Sequence, residues 1–348
     1  MRVPIFALSA LALGLGLVGG AVVQAAPASA DTPRPVSSST APASSDMAGM
    51  PGMDMSGMAS SGPATKAANK PDLDAGIRRA RLKPVFLQAK LEGRNEVPVP
   101  GKPAVGDPDG SATGIVRVQG DRVTFAFSWK GISAPTLGHI HQGVAGVNGD
   151  VKVPLFGSAL PATASAAAGA ITVSDPAIAD ALRANPGGFY LNLHTADFPG
   201  GAVRGQLTKL REPTDLLGLL KGGGERAFLS GDQEVPVAGG PAVGDPTGRA
   251  VAFIRARGTQ VGYSFAWLGI TPTLGHIHKA PFGVNGPVVV PLFGTAIPST
   301  IFAISGTVTG LDPALVKDID EHPSAFYANL HSAAFPGGAV RGQLFDRH

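Results

Sequence analysis

The chain has 348 residues, 48 Gly, 31 Pro and no Cys, with a formal net charge of only +3. Without thiols there is no disulfide framework, no Cys-ligated zinc or iron–sulfur site and no thiol nucleophile. So much Gly and Pro argues against a helix bundle, and the small charge without a Lys/Arg cluster argues against nucleic acid as a partner.

Residues 1–30 read as an export signal. Arg2 precedes an apolar run from Ile5 to about Val23, which ends in small residues. Val23-Gln24-Ala25 and Ala28-Ser29-Ala30 both fit the small-x-small rule of signal peptidase. The alternative is an N-terminal membrane anchor, against which stand the short apolar run and the lack of stop-transfer charges. No later stretch is long and apolar enough to span a bilayer. The expectation is an exported protein, periplasmic, cell-surface or secreted, with no membrane span after cleavage.

Residues 31–82 form a tail of Ala, Pro, Ser, Gly and Met, read as disordered because it offers too little apolar surface to offset ordering entropy. It carries Met47, Met50, Met53, Met55 and Met58, which with Met1 are all six methionines of the chain. No folded segment uses Met as core filler. Their spacing lets a flexible chain converge several thioethers on one ion, and soft thioether sulfur favours Cu(I) or Ag(I). The bland alternative is compositional drift in a linker.

The remainder is one unit written twice, at an offset of 138 that becomes 137 after a one-residue deletion. Glu96-Val97-Pro98-Val99 recurs as Glu234-Val235-Pro236-Val237. The run PTLGHIH occupies 135–141 and 272–278, and FPGGAVRGQL occupies 198–207 and 335–344. The units are expected at 83–209 and 225–348, with a linker over 210–224. Val123, Phe125, Phe127 and Trp129 alternate with polar or small residues, the period of a half-buried strand. Further strands are expected near 84–91, 112–118, 137–141, 151–156, 169–173, 188–194 and 201–207. One short helix starts after the cap Asp175 at Pro176, with a counterpart at Asp312-Pro313. Such a string of short strands predicts two all-β, Greek-key sandwich domains, each with one short helix.

The chemical signal is histidine. Six of the eight His fall at equivalent positions, His139, His141 and His194 in the first copy and His276, His278 and His331 in the second. A pair at i and i+2 on a strand shares one face. A third imidazole on an adjacent strand completes a set suited to Cu, Zn, Ni or Fe, and three-His sites can leave one coordination position open. The alternative is polar surface preserved by an old duplication. Glu96 and Glu234 can contact a metal or a His Nδ1–H, the plainer reading being a surface carboxylate at a strand end. Arg204 and Arg341 can hold an anion, or pair with a local carboxylate. No catalytic triad or phosphate loop is present, so no catalytic residue is assigned.

These motifs, GHIH with GVNG and VPLFG, then NLH with FPGGAVRGQL, resemble the CHRD domain. That domain is named after chordin, an extracellular antagonist of bone morphogenetic proteins, and also occurs in bacterial exported proteins. The resemblance implies an immunoglobulin-like β-sandwich with distant similarity to Cu/Zn superoxide dismutase. In that second family an HxH pair and a later His hold copper, a pattern His139, His141, His194 and His276, His278, His331 match. An Arg before the last strand guides the anion there, and Arg204 and Arg341 sit similarly. The bridging His, the zinc cluster and the disulfide are missing, so copper is the implied cofactor and zinc is not. Three readings follow: a copper-binding protein, a non-enzymatic extracellular or periplasmic module that binds a protein partner through structural His, and a redox enzyme of the superoxide dismutase type.

Overall fold

The computed structural model describes residues 73–220 and 222–346. The expected signal sequence and the five tail methionines lie outside them. The first described element is helix α1 (Leu73–Ala80), which falls within the stretch 31–82 expected to be disordered. Arg79 fixes its end. The guanidinium donates to Asp121 at 2.6 Å and to Asp180 at 3.0 Å, tying the helix to the module that follows. Three charged groups therefore order a segment that has little apolar surface of its own.

The first module contains β1 (Val85–Glu92), β2 (Ser111–Gln119), β3 (Arg122–Lys130), β4 (Leu137–Gln142), β5 (Val151–Phe156), β6 (Ala164–Thr172), α2 (Pro176–Ala184), β7 (Phe189–His194), β8 (Val203–Gln206) and β9 (Thr208–Lys209). Its hydrogen-bonded order is β5-β4-β7-β8 in one sheet and β1-β2-β3-β6 in the other, all antiparallel. The segment from β8 to β9 runs antiparallel to β1, Glu92 pairing with Arg204, Gln88 with Thr208 and Leu87 with Lys209, and so links the two sheets along one edge. Among the described residues the path does not close on itself, so the module is an open sandwich. The chain changes sheet between β3 and β4, returns at β6, and changes again through α2. The core lies between the sheets, where Val123, Phe125 and Phe127 are at most 2% exposed. The period-two reading of β3 holds because its alternate residues pack into that core.

The second module repeats the plan with β10 (Glu225–Ser230), β11 (Arg249–Arg257), β12 (Gln260–Leu268), β13 (Pro272–Lys279), β14 (Val288–Phe293), β15 (Ile301–Val308), α3 (Pro313–Glu321), β16 (Phe326–Ser332) and β17 (Val340–Gln343). Both module helices start as expected. Asp175 accepts from the Ala177 N–H and Asp312 from the Ala314 N–H, each at 2.9 Å, with Pro at the first helical position.

Strand β6 begins five residues before the expected start at 169. Its run of alanines shows no alternation, because both of its faces are covered. Its free edge pairs with β15, Ala167 with Ile304 and Ala166 with Ser305. The two first sheets thus merge into one eight-stranded antiparallel sheet, β1-β2-β3-β6-β15-β12-β11-β10. The junction is symmetric about a local two-fold. Thr163 Oγ1 donates to the Leu292 carbonyl and Thr300 Oγ1 to the Leu155 carbonyl, both at 2.7 Å. The segment between the modules is a strap across the outer face of this sheet. Leu216 is buried there beside Ile115, Ala126, Ala168 and Ala303. The other sheet of each module, β5-β4-β7-β8 and β14-β13-β16-β17, carries the histidines on its outer face.

Candidate metal centre

In β4, Ile140 is fully buried in the core, which turns His139 and His141 to the outer face of their sheet. In β7, Leu191 and Leu193 fill the core and Asn192 and His194 point outward. Cross-strand register places Leu137 opposite His194, His139 opposite Asn192, and His141 opposite Tyr190. Three imidazoles therefore meet above two neighbouring strands. One ring nitrogen from each of His139, His141 and His194 lies within 4.8 Å of the others, and His276, His278 and His331 repeat the arrangement.

Hydrogen bonds set which nitrogens converge. His141 Nδ1 donates to the Gly149 carbonyl at 2.9 Å, and His194 Nδ1 donates to the Pro199 carbonyl at 3.0 Å. Both rings then keep a lone pair on Nε2. His139 Nδ1 stands 3.2 Å from His194 Nε2, and His141 Nε2 is buried without any partner. The second module gives 2.9 Å from His278 to Gly286, 2.9 Å from His331 to Pro336 and 3.2 Å between His276 and His331. Burial pushes His139 and His276 down to about 4, and the neighbouring imidazoles add to the effect. Burial also lowers His141, His194 and His278. Those five imidazoles are thus held towards the neutral state, in which imidazole is a metal ligand.

Three loops close over this face. The loop after β4 is held down by Arg204, whose guanidinium donates to Asn148 Oδ1 at 3.0 Å and to the carbonyls of Val144 and Val147 at 3.1 and 2.7 Å. Asn148 in turn donates to the Val97 carbonyl at 2.8 Å, joining the loop after β1. Arg204 lies 3.4 Å over the Tyr190 ring, and that ring stacks on His141 with centroids 4.8 Å apart. Arg341, Tyr327 and His278 build the same stack. The two arginines were expected to hold an anion or pair with a carboxylate. At 2% and 1% exposure they place their donors on loop carbonyls and an Asn side chain and so clamp the loop, while their charge also acts on the carboxyls of Glu96 and Glu234.

The expectation of a surface carboxylate at Glu96 and Glu234 is also corrected. Glu96 Oε2 accepts from Asn192 Nδ2 at 3.4 Å, while Oε1 is buried and unpartnered. Burial raises both carboxyls to about 7, against opposing pulls from Arg204 or Arg341 and from the Asn. Each carboxylate rests on the glycine turn before β8 or β17. Gly201 has φ 138°, and a Cβ there would come within 2.7 Å of Glu96 Oε1. The second glycine of FPGGAVRGQL is thus required twice, by its backbone angle and by the carboxylate above it.

Sequence reasoning missed Tyr190, Asn148, Gly149 and Asn192. The repeated GVNG was the available signal for two of them. A Cβ at Gly149 would run into the Gln142 carbonyl, so only glycine lets the loop present its carbonyl to His141.

Fold and site together define a tandem β-sandwich protein with one three-His cluster on the outer face of each module. The CHRD domain family matches residues 87–207 and 226–344, more than half of the chain. The chain belongs to the CHRD domain family. No curated protein matches it.

Proposed function

We propose that the chain is an exported metal-binding protein that holds one copper ion at the three-His cluster of each module and captures Cu(I) with its methionine tail. One observation carries the reading: three imidazole nitrogens converge in each module, and the Nε2 of His141 and of His278 is buried with nothing to bond. A buried polar atom without a partner costs about 1–3 kcal/mol, which a bound cation would recover. The fit is chemical and metrical. Two nitrogens 3.2 Å apart, each about 2.0–2.1 Å from one ion, subtend about 100° there, close to a tetrahedral angle. The Gly149 and Pro199 carbonyls hold the proton on Nδ1 and so aim both Nε2 lone pairs, as outer partners of metal-bound His do. His139 and His276 would give up Nδ1–H to the ion and carry their proton on Nε2.

Imidazole donors favour Cu over hard cations, and thioethers select Cu(I), so tail and modules suit one element in two oxidation states. Among the described residues no helix is long and apolar enough to cross a membrane. A second reading treats the imidazoles as structural, in a module that binds a protein partner. It has the His139–His194 contact in its favour, which is a hydrogen bond in the absence of metal.

Titration of the full chain with Cu(II) and Cu(I), read by bound metal after dialysis, separates the two. The copper reading expects two module-bound ions, lost in a His139→Ala/His276→Ala variant that retains tail binding. Full-chain protein that binds no more copper than this variant would refute it. A thermal midpoint that collapses in the variant without any metal present would favour the structural reading.

A further inference from the structure

We infer that each module sets a pair of oxygen acceptors beside its three-His cluster, Glu96 with Asn192 and Glu234 with Asn329, and that this pair binds the hydrogens of a small protic ligand seated at the metal. The inference rests on the metal reading above and deepens it, by naming the class of molecule that occupies the open coordination position. That class is a water-sized donor such as water itself or hydroxylamine, rather than a bare anion.

The starting observation is an excess of acceptors. Glu96 Oε1 and Asn192 Oδ1 are both buried and both lack a partner, although Asn192 is only 5% exposed. The one contact within the pair, Asn192 Nδ2 to Glu96 Oε2, leaves these two atoms without a donor when the carboxyl is ionised. The second module leaves Glu234 Oε1 and Asn329 Oδ1 in the same condition, with Asn329 at 4% exposure. The copies differ nearby at Ala145 and Phe282, and at Asp197 and Ala334, yet both keep the deficit. Duplicated orphan acceptors point to a missing donor.

Position ties that donor to the cluster. Asn192 is the direct cross-strand neighbour of His139 and shares its face, so the two side chains stand side by side. Glu96 sits on Gly201, two residues from the Pro199 carbonyl that orients His194. The carboxyl is not one of the atoms that converge within 4.8 Å, so it serves as an outer partner and not as a ligand of the set. Arg204 also acts on this carboxyl, which disfavours a second cation between the acceptors. Three protein ligands leave a fourth position open, and a donor held there can reach the acceptor pair.

The experiment uses the full chain loaded with Co(II), whose visible spectrum reports ligand exchange. Hydroxylamine, neutral and rich in donors near pH 7.5, is titrated against azide, an anion without donors. The ratio of the two affinities is compared between wild type and Glu96→Gln/Glu234→Gln. An amide there can donate to the Asn oxygen and close the pair, so the preference for hydroxylamine should fall about tenfold, the worth of one hydrogen bond to a charged group. Asn192→Ser/Asn329→Ser should move the ratio the same way, which guards against misfolding of the first variant. An unchanged ratio in variants that still hold two Co(II) per chain would overturn the inference alone. Failure of the wild type to hold Co(II) or copper would show before any ligand is added, and would remove the metal reading with it.

Discussion

The two modules share an interior and differ at the rim. Around the imidazoles the bonds repeat within 0.1 Å, 3.2 Å between the paired rings and 2.9 Å to the loop glycine in both. At the mouth, Asp150 of the first copy corresponds to Pro287 of the second, Lys152 to Val289, Asp197 to Ala334 and Ala145 to Phe282. One rim is charged, and the other carries a Phe that is 69% exposed. The chemistry therefore resides in what repeats, namely rings, clamp and acceptor pair. The rim can tune a site without building it.

The largest expected effect breaks the comparison outright. His139→Ala removes the ring that contacts His194 and leaves the second module untouched. Loss of a direct ligand should weaken the first site by well over the roughly 10- to 100-fold typical of an outer-partner mutation. Bound copper in the modules should fall from two to one, and His276→Ala should give the mirror result. Metal analysis after dialysis of a tail-deleted comparison reads this directly. Loss of both ions from either single variant would mean that the sites act as one unit, coupled through the β6–β15 junction.

Much of this was legible in the sequence, and the failures have physical causes. The HxH pair declared its shared face because strand geometry is local, and the Asp-Pro helix starts are local as well. The third ligand was found only through repetition, since spacing alone does not say which strands lie side by side. The burial of Arg204 and Glu96 was not legible, because a charged side chain, in a strand like Arg204 or in a loop like Glu96, normally points to water. Here the loops fold back over that face and enclose it, which depends on a glycine carbonyl and an Asn far away in sequence. The alanines of β6 hid the first part of that strand because their fit comes from a neighbour 137 residues on. The face covered by the strap between the modules was equally non-local.

A smaller effect, shared by both modules, concerns acid. His139 and His276 take up a proton near 6.5 when unfolded and at about 4 when folded. Between these values the unfolded chain binds more protons, so metal-free protein loses stability as pH falls through that window. Glu96 and Glu234 act in the opposite direction. Their folded value is about 7 against an ordinary 4.5, so the folded state holds the extra proton and stability is lost as pH rises through that range. The two trends oppose each other between 4.5 and 6.5. The lowered His141, His194 and His278 add to the first trend, so the wild-type urea midpoint should climb there only shallowly, while that of Glu96→Gln/Glu234→Gln should climb more steeply towards neutrality. Parallel profiles for the two proteins would contradict this.

The smallest effect sharpens the difference at the rim. Asp150 raises the proton affinity of His141, and no carboxylate acts on His278, where Pro287 and Val289 replace the Asp-Lys pair. The field that attracts a proton attracts a cation, so the first site should bind the more tightly of the two. The gain is limited, because the Asp150 side chain is 88% exposed and Lys152 lies 3.5 Å away. An exposed pair contributes about 0–1 kcal/mol, so Asp150→Asn should weaken the first site by no more than about fivefold. The change keeps the Asp150 carbonyl, which accepts from the Gln142 N–H, so only charge is altered. Screening offers the decisive control. At 1 M salt the Debye length is about 3 Å, and the two affinities should converge in wild type as they do in the variant. A difference that survives both salt and the substitution would instead be steric. Exchange of Ala145 and Phe282 would then be the change that moves it, by altering access through the loop that Arg204 and Arg341 hold in place.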